Sequence, residues 1–157
     1  MKKLLFIAAA FISLTAAAQQ KPDEVIKIAD SYNFGKIKQG VPVTTFFEIT
    51  NVSGQPMVIE SVTAACGCTT PEWDKAPVAS KKASQIKVGF NAGTMGQFTK
   101  PVYIKLAGIA ETKVVNITGE VVDEAAYNAY LKSDEYKKWA SAQKKTTGNK
   151  GGSKPRK

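Results

Sequence analysis

From Val25 to Val122 the chain consists of short segments in which apolar and polar residues alternate, separated by stretches rich in glycine, proline and asparagine. Ser84 to Phe90 shows the pattern clearly, because Ile86, Val88 and Phe90 fall on every second position. A two-residue period puts these side chains on one face of a β-strand, whereas a helix requires a period near 3.6 residues. No long stretch of this region has the helical period, so it is predicted to fold as strands.

Six or seven such strands over roughly 100 residues predict an all-β fold, an antiparallel sandwich. Each strand has one apolar face, so two sheets must pack together to bury these faces. Pro101 cannot donate a ladder hydrogen bond, which predicts that its strand is an edge strand or carries a bulge. Residues 71–82 are predicted as a loop. The strands themselves are predicted at residues 25–29, 43–51, 56–63, 84–90, 98–106 and 112–122.

Residues 1–18 have the pattern of a secretory signal peptide. A basic start precedes the apolar run Leu4 to Ile12, and the small residues Ala16 to Ala18 form a cleavage site before Gln19. We therefore expect an exported protein, located in the periplasm, at the cell envelope or outside the cell. No transmembrane segment is expected to remain after cleavage.

The sandwich is expected to occupy residues 19–122, and the composition changes after it. Residues 123–143 are predicted to form an amphipathic helical extension, because aromatic and apolar residues recur there at helical spacing after an acidic start. Residues 144–157 are predicted to be a disordered basic tail.

The net charge of +9 comes mainly from the ends of the chain, because residues 19–143 carry 14 basic against 13 acidic residues. The tail lacks aromatic residues for base stacking and is expected outside the cytoplasm, so no nucleic acid is expected as a partner. A solubilising role is favoured for it over binding to anionic lipid or glycan.

The absence of histidine excludes Ser-His-Asp and Cys-His nucleophilic systems and every histidine-ligated metal site. The chain also has no glycine loop of the kind that binds phosphate. We expect no enzymatic activity and no cofactor.

Cys66 and Cys68 are the chain's only cysteines and its one candidate reactive pair. If the segment from Val62 to Cys68 is a single extended strand, both sulfurs lie on the same face. The pair could pack as small apolar residues, form an inert disulfide, cycle between dithiol and disulfide, or hold Cu(I), with Met57 or Met95 as a further ligand. Packing or an inert bridge is favoured, and copper is the weaker alternative.

The segment from Cys66 to Val78 is the candidate contact surface, with Thr69, Pro71 and Trp73 as its candidate interaction residues. Trp73 is expected to pack over one end of the sandwich rather than to face a ligand.

Several motifs occur together in a recognisable order, and Cys66-Gly67-Cys68-Thr69 is the most specific of them. With Tyr32-Asn33-Phe34-Gly35 and Gly96-Gln97-Phe98, the stretch from about Ile28 to Val122 resembles the exported bacterial family DUF1573. The resemblance implies an immunoglobulin-like β-sandwich, similar to ASH and major-sperm-protein modules and typical of envelope proteins of Bacteroidetes-like bacteria. It implies no established activity. Residues 79–82 stand where that family usually has a Pro-Gly turn.

Two classes of function follow. The first is a non-catalytic cell-envelope module that binds or scaffolds a protein partner through residues 66–78 or the predicted edge strand at 98–106. The second is a thiol-dependent function, either redox exchange or Cu(I) binding, centred on Cys66 and Cys68.

Overall fold

The computed structural model describes residues 20–146, with side chains to residue 144. The predicted signal peptide at residues 1–18 and residues 147–157 of the predicted tail lie outside the described residues. In chain order the elements are α1 (Pro22–Val25), β1 (Ile26–Lys27), β2 (Ser31–Lys38), β3 (Val43–Asn51), β4 (Ile59–Ala64), β5 (Thr69–Trp73), β6 (Ala83–Phe90), β7 (Gly96–Leu106), β8 (Lys113–Val122), α2 (Glu124–Leu131) and α3 (Asp134–Thr146).

The strands form two four-stranded sheets, with the orders β1-β3-β6-β5 and β2-β8-β7-β4. Neighbouring strands are antiparallel except β2 and β8, which run parallel. The predicted immunoglobulin-like sandwich is thus confirmed, with one sheet mixed rather than purely antiparallel.

The core lies between the sheets and is built from the alternating apolar residues of the sequence. Ile86 and Val88 from β6 are fully buried, as are Ile104 from β7 and Val115 and Ile117 from β8. Each such side chain contributes roughly 1.5–3 kcal/mol of burial free energy. The two-residue period is therefore what drives the sheets together.

The strand predicted at residues 98–106 is observed as β7, but the prediction of an edge strand is wrong, because β8 and β4 flank it. β4 ends at Ala64, which pairs with Val102. Among the described residues, only β8 therefore borders β7 at Pro101. Because β4 has no residue opposite Pro101, no carbonyl of β4 lacks a hydrogen-bond donor there. An interior strand can accommodate a proline at such a position.

Two predicted strands and the predicted loop differ most from the structure. Residues 25–29 form the end of α1 and the two-residue β1 rather than one strand. In the segment 56–63, Met57 forms an isolated bridge with Val78, and β4 begins at Ile59. The predicted loop 71–82 begins inside β5, which tolerates Pro71 because β5 is the last strand of its sheet.

The predicted helical extension is observed as α2 and α3, which lie against β2. Asp123 caps α2 by accepting a hydrogen bond from the backbone N–H of Ala126 at 2.8 Å. α3 continues to Thr146, so three residues assigned to the tail are helical. No helix between residues 20 and 146 has both the length and the apolar content needed to cross a membrane.

Candidate functional site

The two cysteines lie in the turn that joins β4 to β5, and therefore in a connection between the two sheets. Cys66 and Cys68 form a disulfide, and their Cα atoms are 5.3 Å apart. An extended strand would hold them at roughly 6.5 to 7 Å. The condition under which both sulfurs would lie on one strand face is therefore not met, because β4 ends at Ala64 and the chain then turns.

Both cysteines are half-buried. Cys68 packs against the hydrophobic core, and its carbonyl accepts a hydrogen bond from the Asn91 N–H at 3.0 Å. The Oγ1 atom of Thr69 lies 3.8 Å from the Cys66 Sγ and 3.9 Å from the Cys68 Sγ. Copper binding would require the reduced pair, because the ligand is a thiolate and the disulfide has none.

Thr69, Pro71 and Trp73 are brought onto a single strand, β5, and alternate along its inner face. Thr69 is buried, and the other two are half-buried. The residues between them, Thr70 and Glu72, are exposed. The solvent-exposed side chains of β5 are therefore those of Thr70 and Glu72, which alternate with the predicted interaction residues.

Trp73 connects the two sheets at one side of the sandwich. Its indole Nε1–H, on β5, donates to the carbonyl of Ile59 on β4 at 3.2 Å. The ring also packs against the buried core. Both contacts support the core-packing interpretation of Trp73 rather than a ligand-facing one.

A shallow groove of about 200 Å³ lies beside the disulfide, on the outer face of the sheet that contains β5. Strand register aligns Thr44 of β3, Gly89 of β6 and Thr70 of β5 across it. A Cβ atom on Gly89 would lie 2.8 Å from the Thr70 Oγ1. The missing side chain at this position therefore forms the floor of the groove.

One end of the groove is lined by charged side chains, and the other end is lined by residues of the cysteine turn. Lys87 Nζ and a carboxylate oxygen of Glu72 form an ion pair of 3.0 Å, and both residues line the groove. Gly67 and Cys68 line it as well. The groove thus combines one charged pair with two threonine residues and lies beside the turn that contains the disulfide.

Thr44, Lys87 and Gly89 were not identifiable from the sequence as residues of this site. They come from β3 and β6, and only the pairing register brings them beside β5. The glycine at an outward position of β6, Gly89, was the one available signal, since a glycine within a strand often marks a close approach.

The far end of the segment from Cys66 to Val78 is fixed by Asn51. Its amide Nδ2 donates to the carbonyls of Val78 and Gln55, both at 2.8 Å, and its Oδ1 accepts from Ser53. Met57 and Val78 also exchange two backbone hydrogen bonds. Because Asn51 is fully buried and its amide is satisfied, it holds this end rigidly.

The two candidate thioether ligands have different surroundings. Met57 is buried in the core, and Met95 is exposed just before β7. Between residues 20 and 146 no group of three or more histidine, cysteine or acidic side chains is positioned to hold a metal ion.

Comparison of the sequence with protein families finds a match over residues 26–121 to the family described as "Protein of unknown function (DUF1573)". No curated protein matches the chain.

Several solved structures share the fold. A protein of unknown function from Porphyromonas gingivalis W83 is 18% identical, with a TM-score of 0.55 over 71% of this chain and 51% of that one. The ASH/PapD-like domain 7 of human CEP192 is 12% identical, with a TM-score of 0.54 over 71% of this chain and 96% of that domain. The Vibrio cholerae VesB protease is 16% identical, with a TM-score of 0.53 over 64% of this chain and 33% of the protease.

These likenesses are to the fold alone. The chain spans about half of the Porphyromonas gingivalis protein, whereas it matches almost the whole of the CEP192 domain. The chain therefore corresponds to one domain of CEP192 and to about half of the Porphyromonas gingivalis protein.

Proposed function

This chain belongs to the DUF1573 family, whose function is unknown, and from that premise we propose that it is a non-catalytic module of the cell envelope that binds a protein partner. The similarity of the fold to an ASH/PapD-like domain supports a non-catalytic binding role. The finer proposal is that the partner binds at β5 and the adjoining groove.

The observation that carries this proposal is the position of the groove beside the last strand of a sheet. Among the described residues, β5 has a strand neighbour on one side only, β6. An extended peptide can add to such an edge through main-chain hydrogen bonds. Pro71 has no N–H and the Thr69 N–H is bonded to the Cys66 carbonyl, so the edge would act mainly as a hydrogen-bond acceptor at these two residues. The alternate side chains of the peptide would then lie near the groove, where Glu72 and Lys87 supply charge.

Export is part of the proposal and rests on the pattern of residues 1–18. Mass spectrometry of the protein recovered from the native organism should give a chain that begins at Gln19. A chain that retains Met1, found in the cytoplasmic fraction, would overturn the envelope assignment.

The partner surface can be tested with a photo-reactive phenylalanine analogue at Glu72, which is exposed on β5. The matched control has the same analogue at Tyr103, an exposed aromatic residue on β7 in the other sheet. Irradiation of native envelopes should give a reproducible protein adduct from position 72 and none from position 103.

A charge reversal makes the test specific. Lys87→Glu, made in the variant that carries the analogue at position 72, replaces the ammonium group of the groove with a carboxylate and should abolish the adduct at position 72 while leaving the fold intact, because surface ion pairs contribute little to stability. Adducts from position 103 only, or none from either position, would contradict the proposal.

A second candidate function is thiol-disulfide exchange, which is favoured by the half-buried disulfide at the end of a surface groove. A ring closed over about three residues removes little unfolded-state entropy, about 1.5 kcal/mol. The fold would therefore tolerate reduction, and the reduced pair could also hold Cu(I).

Alkylation followed by mass spectrometry separates these possibilities. For redox exchange, a mild thiol reductant applied to the native protein should expose both cysteines to alkylation, and an oxidant should restore the bridge. A bridge that stays closed until the protein is denatured would identify an inert disulfide. For copper, the reduced protein should bind Cu(I) and the Cys66→Ser, Cys68→Ser double variant should not.

A further inference from the structure

One face of α3 packs against the sandwich. Tyr136, Trp139 and Gln143 recur at helical spacing. The Trp139 Nε1–H and the Gln143 Nε2–H both donate to the carbonyl of Asn33 on β2, each at 2.8 Å. The Tyr136 and Trp139 rings stack with their centroids 5.7 Å apart. These contacts fix the rotation of the helix about its axis.

The opposite face of α3 is cationic. Lys137, Lys138 and Lys144 are exposed, and an ideal helix turns these positions away from the side that carries Trp139. Lys137 and Lys144 are seven residues apart, which is about 10.5 Å along the axis. Lys137 pairs with Asp134 at 2.7 Å, but both side chains are largely exposed, so that pair neutralises little of the field.

The sequence strengthens this charge towards the C-terminus. Asp134 and Glu135 are the last acidic residues of the chain, and both belong to the first turn of α3. From Tyr136 to Lys157 there are eight basic residues and no acidic ones. The sandwich itself is close to neutral, so this end of the molecule is strongly polarised.

We propose that the exposed lysine face of α3 adsorbs to an anionic lipid bilayer. Lys137 and Lys144 lie along one side of the helix and Lys138 lies about 100° further round, so the three form a convex cationic surface, which suits a flat array of phosphate headgroups. Separate ammonium groups attract such an array without requiring the fixed geometry of arginine. Adsorption is electrostatic and without insertion, because the aromatic face of the helix is held against β2.

The test measures co-sedimentation of the purified, naturally processed protein with vesicles. Vesicles of phosphatidylcholine containing about one third phosphatidylglycerol should bind the protein at low salt, and pure phosphatidylcholine vesicles should not. Binding should fall steeply as salt shortens the Debye length. The emission maximum of Trp139 should not shift, since the ring stays in its site on β2.

A triple variant, Lys137→Gln, Lys138→Gln and Lys144→Gln, should weaken binding to the anionic vesicles by about tenfold or more. The matched control is the triple variant Lys75→Gln, Lys81→Gln and Lys82→Gln, which removes the same charge from the β5–β6 connection and should bind as the wild type does.

Three results would overturn the proposal. The first is equal binding by both triple variants, which would assign the attraction to other residues. The second is binding to neutral vesicles or binding that resists high salt, which would indicate insertion. The third is displacement of the protein from vesicles by an equal charge concentration of soluble polyphosphate at low salt, which would indicate a preference for a soluble polyanion.

Discussion

Gly35 is a single residue on which the docking of the C-terminal helices depends. Its φ of +68° is left-handed, and an added Cβ would lie 2.5 Å from the Tyr130 hydroxyl and 3.2 Å from the Trp139 ring. Gly35→Ala should therefore lower the free energy of unfolding by at least about 2 kcal/mol, from backbone strain plus steric clash. Urea denaturation measures this loss.

Gly40→Ala is the matched control for that substitution. Gly40 has nearly the same φ, +71°, but no atom lies within 4 Å of an added Cβ. Its cost should be the backbone part alone, about 1 kcal/mol. Equal losses of stability at the two positions would show that α2 and α3 move away from the added methyl group without a further cost in unfolding free energy.

Lys81 is in a backbone conformation that lysine adopts unfavourably. Its φ is +61°, in the turn where the family usually has Pro-Gly. Lys81→Gly should raise the free energy of unfolding by about 0.5–1 kcal/mol, because glycine removes the left-handed strain at some cost in unfolded-state entropy. Thermal unfolding is a suitable measurement. A lower midpoint would mean that the lysine side chain contributes more than the strain costs.

At this scale the sequence identified the important residues better than their surroundings. Cys66 and Cys68 were singled out as a possible pair, but the period-two rule could not show that the chain turns after Ala64. Thr69, Pro71 and Trp73 were located on the right segment, although their side chains point inward. Which face of a short strand is buried depends on its partners, and β5 has only five residues to show it.

At the scale of elements, two tryptophans each fasten one element to another. Trp73 joins β5 to the Ile59 carbonyl on β4, in partly buried surroundings. Trp139 joins α3 to the Asn33 carbonyl on β2, which also accepts from Gln143 and is exposed. The same chemical change should therefore have different consequences at the two sites.

Trp73→Phe should lower the free energy of unfolding by about 1–2 kcal/mol, because the Ile59 carbonyl loses its donor in partly buried surroundings. Trp139→Phe should cost about 0.5 kcal/mol, since Gln143 and water still satisfy Asn33. Urea titration followed by circular dichroism compares the two variants. Equal costs would contradict the assignment of Trp73 as the connection between the sheets.

Strand identity was largely predictable from alternation, whereas strand neighbours were not. β3, β6, β7 and β8 were found within a few residues of their observed bounds. The place of β7 was misjudged because Pro101 was assumed to exclude a neighbour along the whole strand. The length of β4, which decides where that neighbour stops, follows from the cysteine turn and has no separate sequence signal.

At the scale of the whole molecule, three groups make the fold sensitive to alkaline pH. Burial raises the pKa of Tyr32 and of Tyr130 above the ordinary value of 10.0. Hydrogen bonds that Lys113 donates, first to Asp23 and then to Asp30, raise the pKa of Lys113 above 10.5. In each case the folded state holds its proton more tightly than the unfolded state does.

The direction of the pH effect follows from those shifts. The stabilisation is complete below the unfolded pKa values and is lost as the pH rises through the folded ones. The urea midpoint should therefore fall above about pH 10. Tyr130→Phe should reduce that fall, whereas Tyr103→Phe, at an exposed position, should not change it. A midpoint independent of pH to about pH 11 would contradict the prediction.

The parallel pairing of β2 with β8 has a consequence for how the molecule comes into being. β2 is the first long strand to leave the ribosome, and its neighbour β8 is the last. Until Val122 has been synthesised, the second sheet lacks β8, the strand that joins β2 to β7. Pairings between strands this distant in sequence form slowly. The second sheet would thus stay incomplete through most of the chain's synthesis, and an incompletely folded chain is what the export proposed above would require.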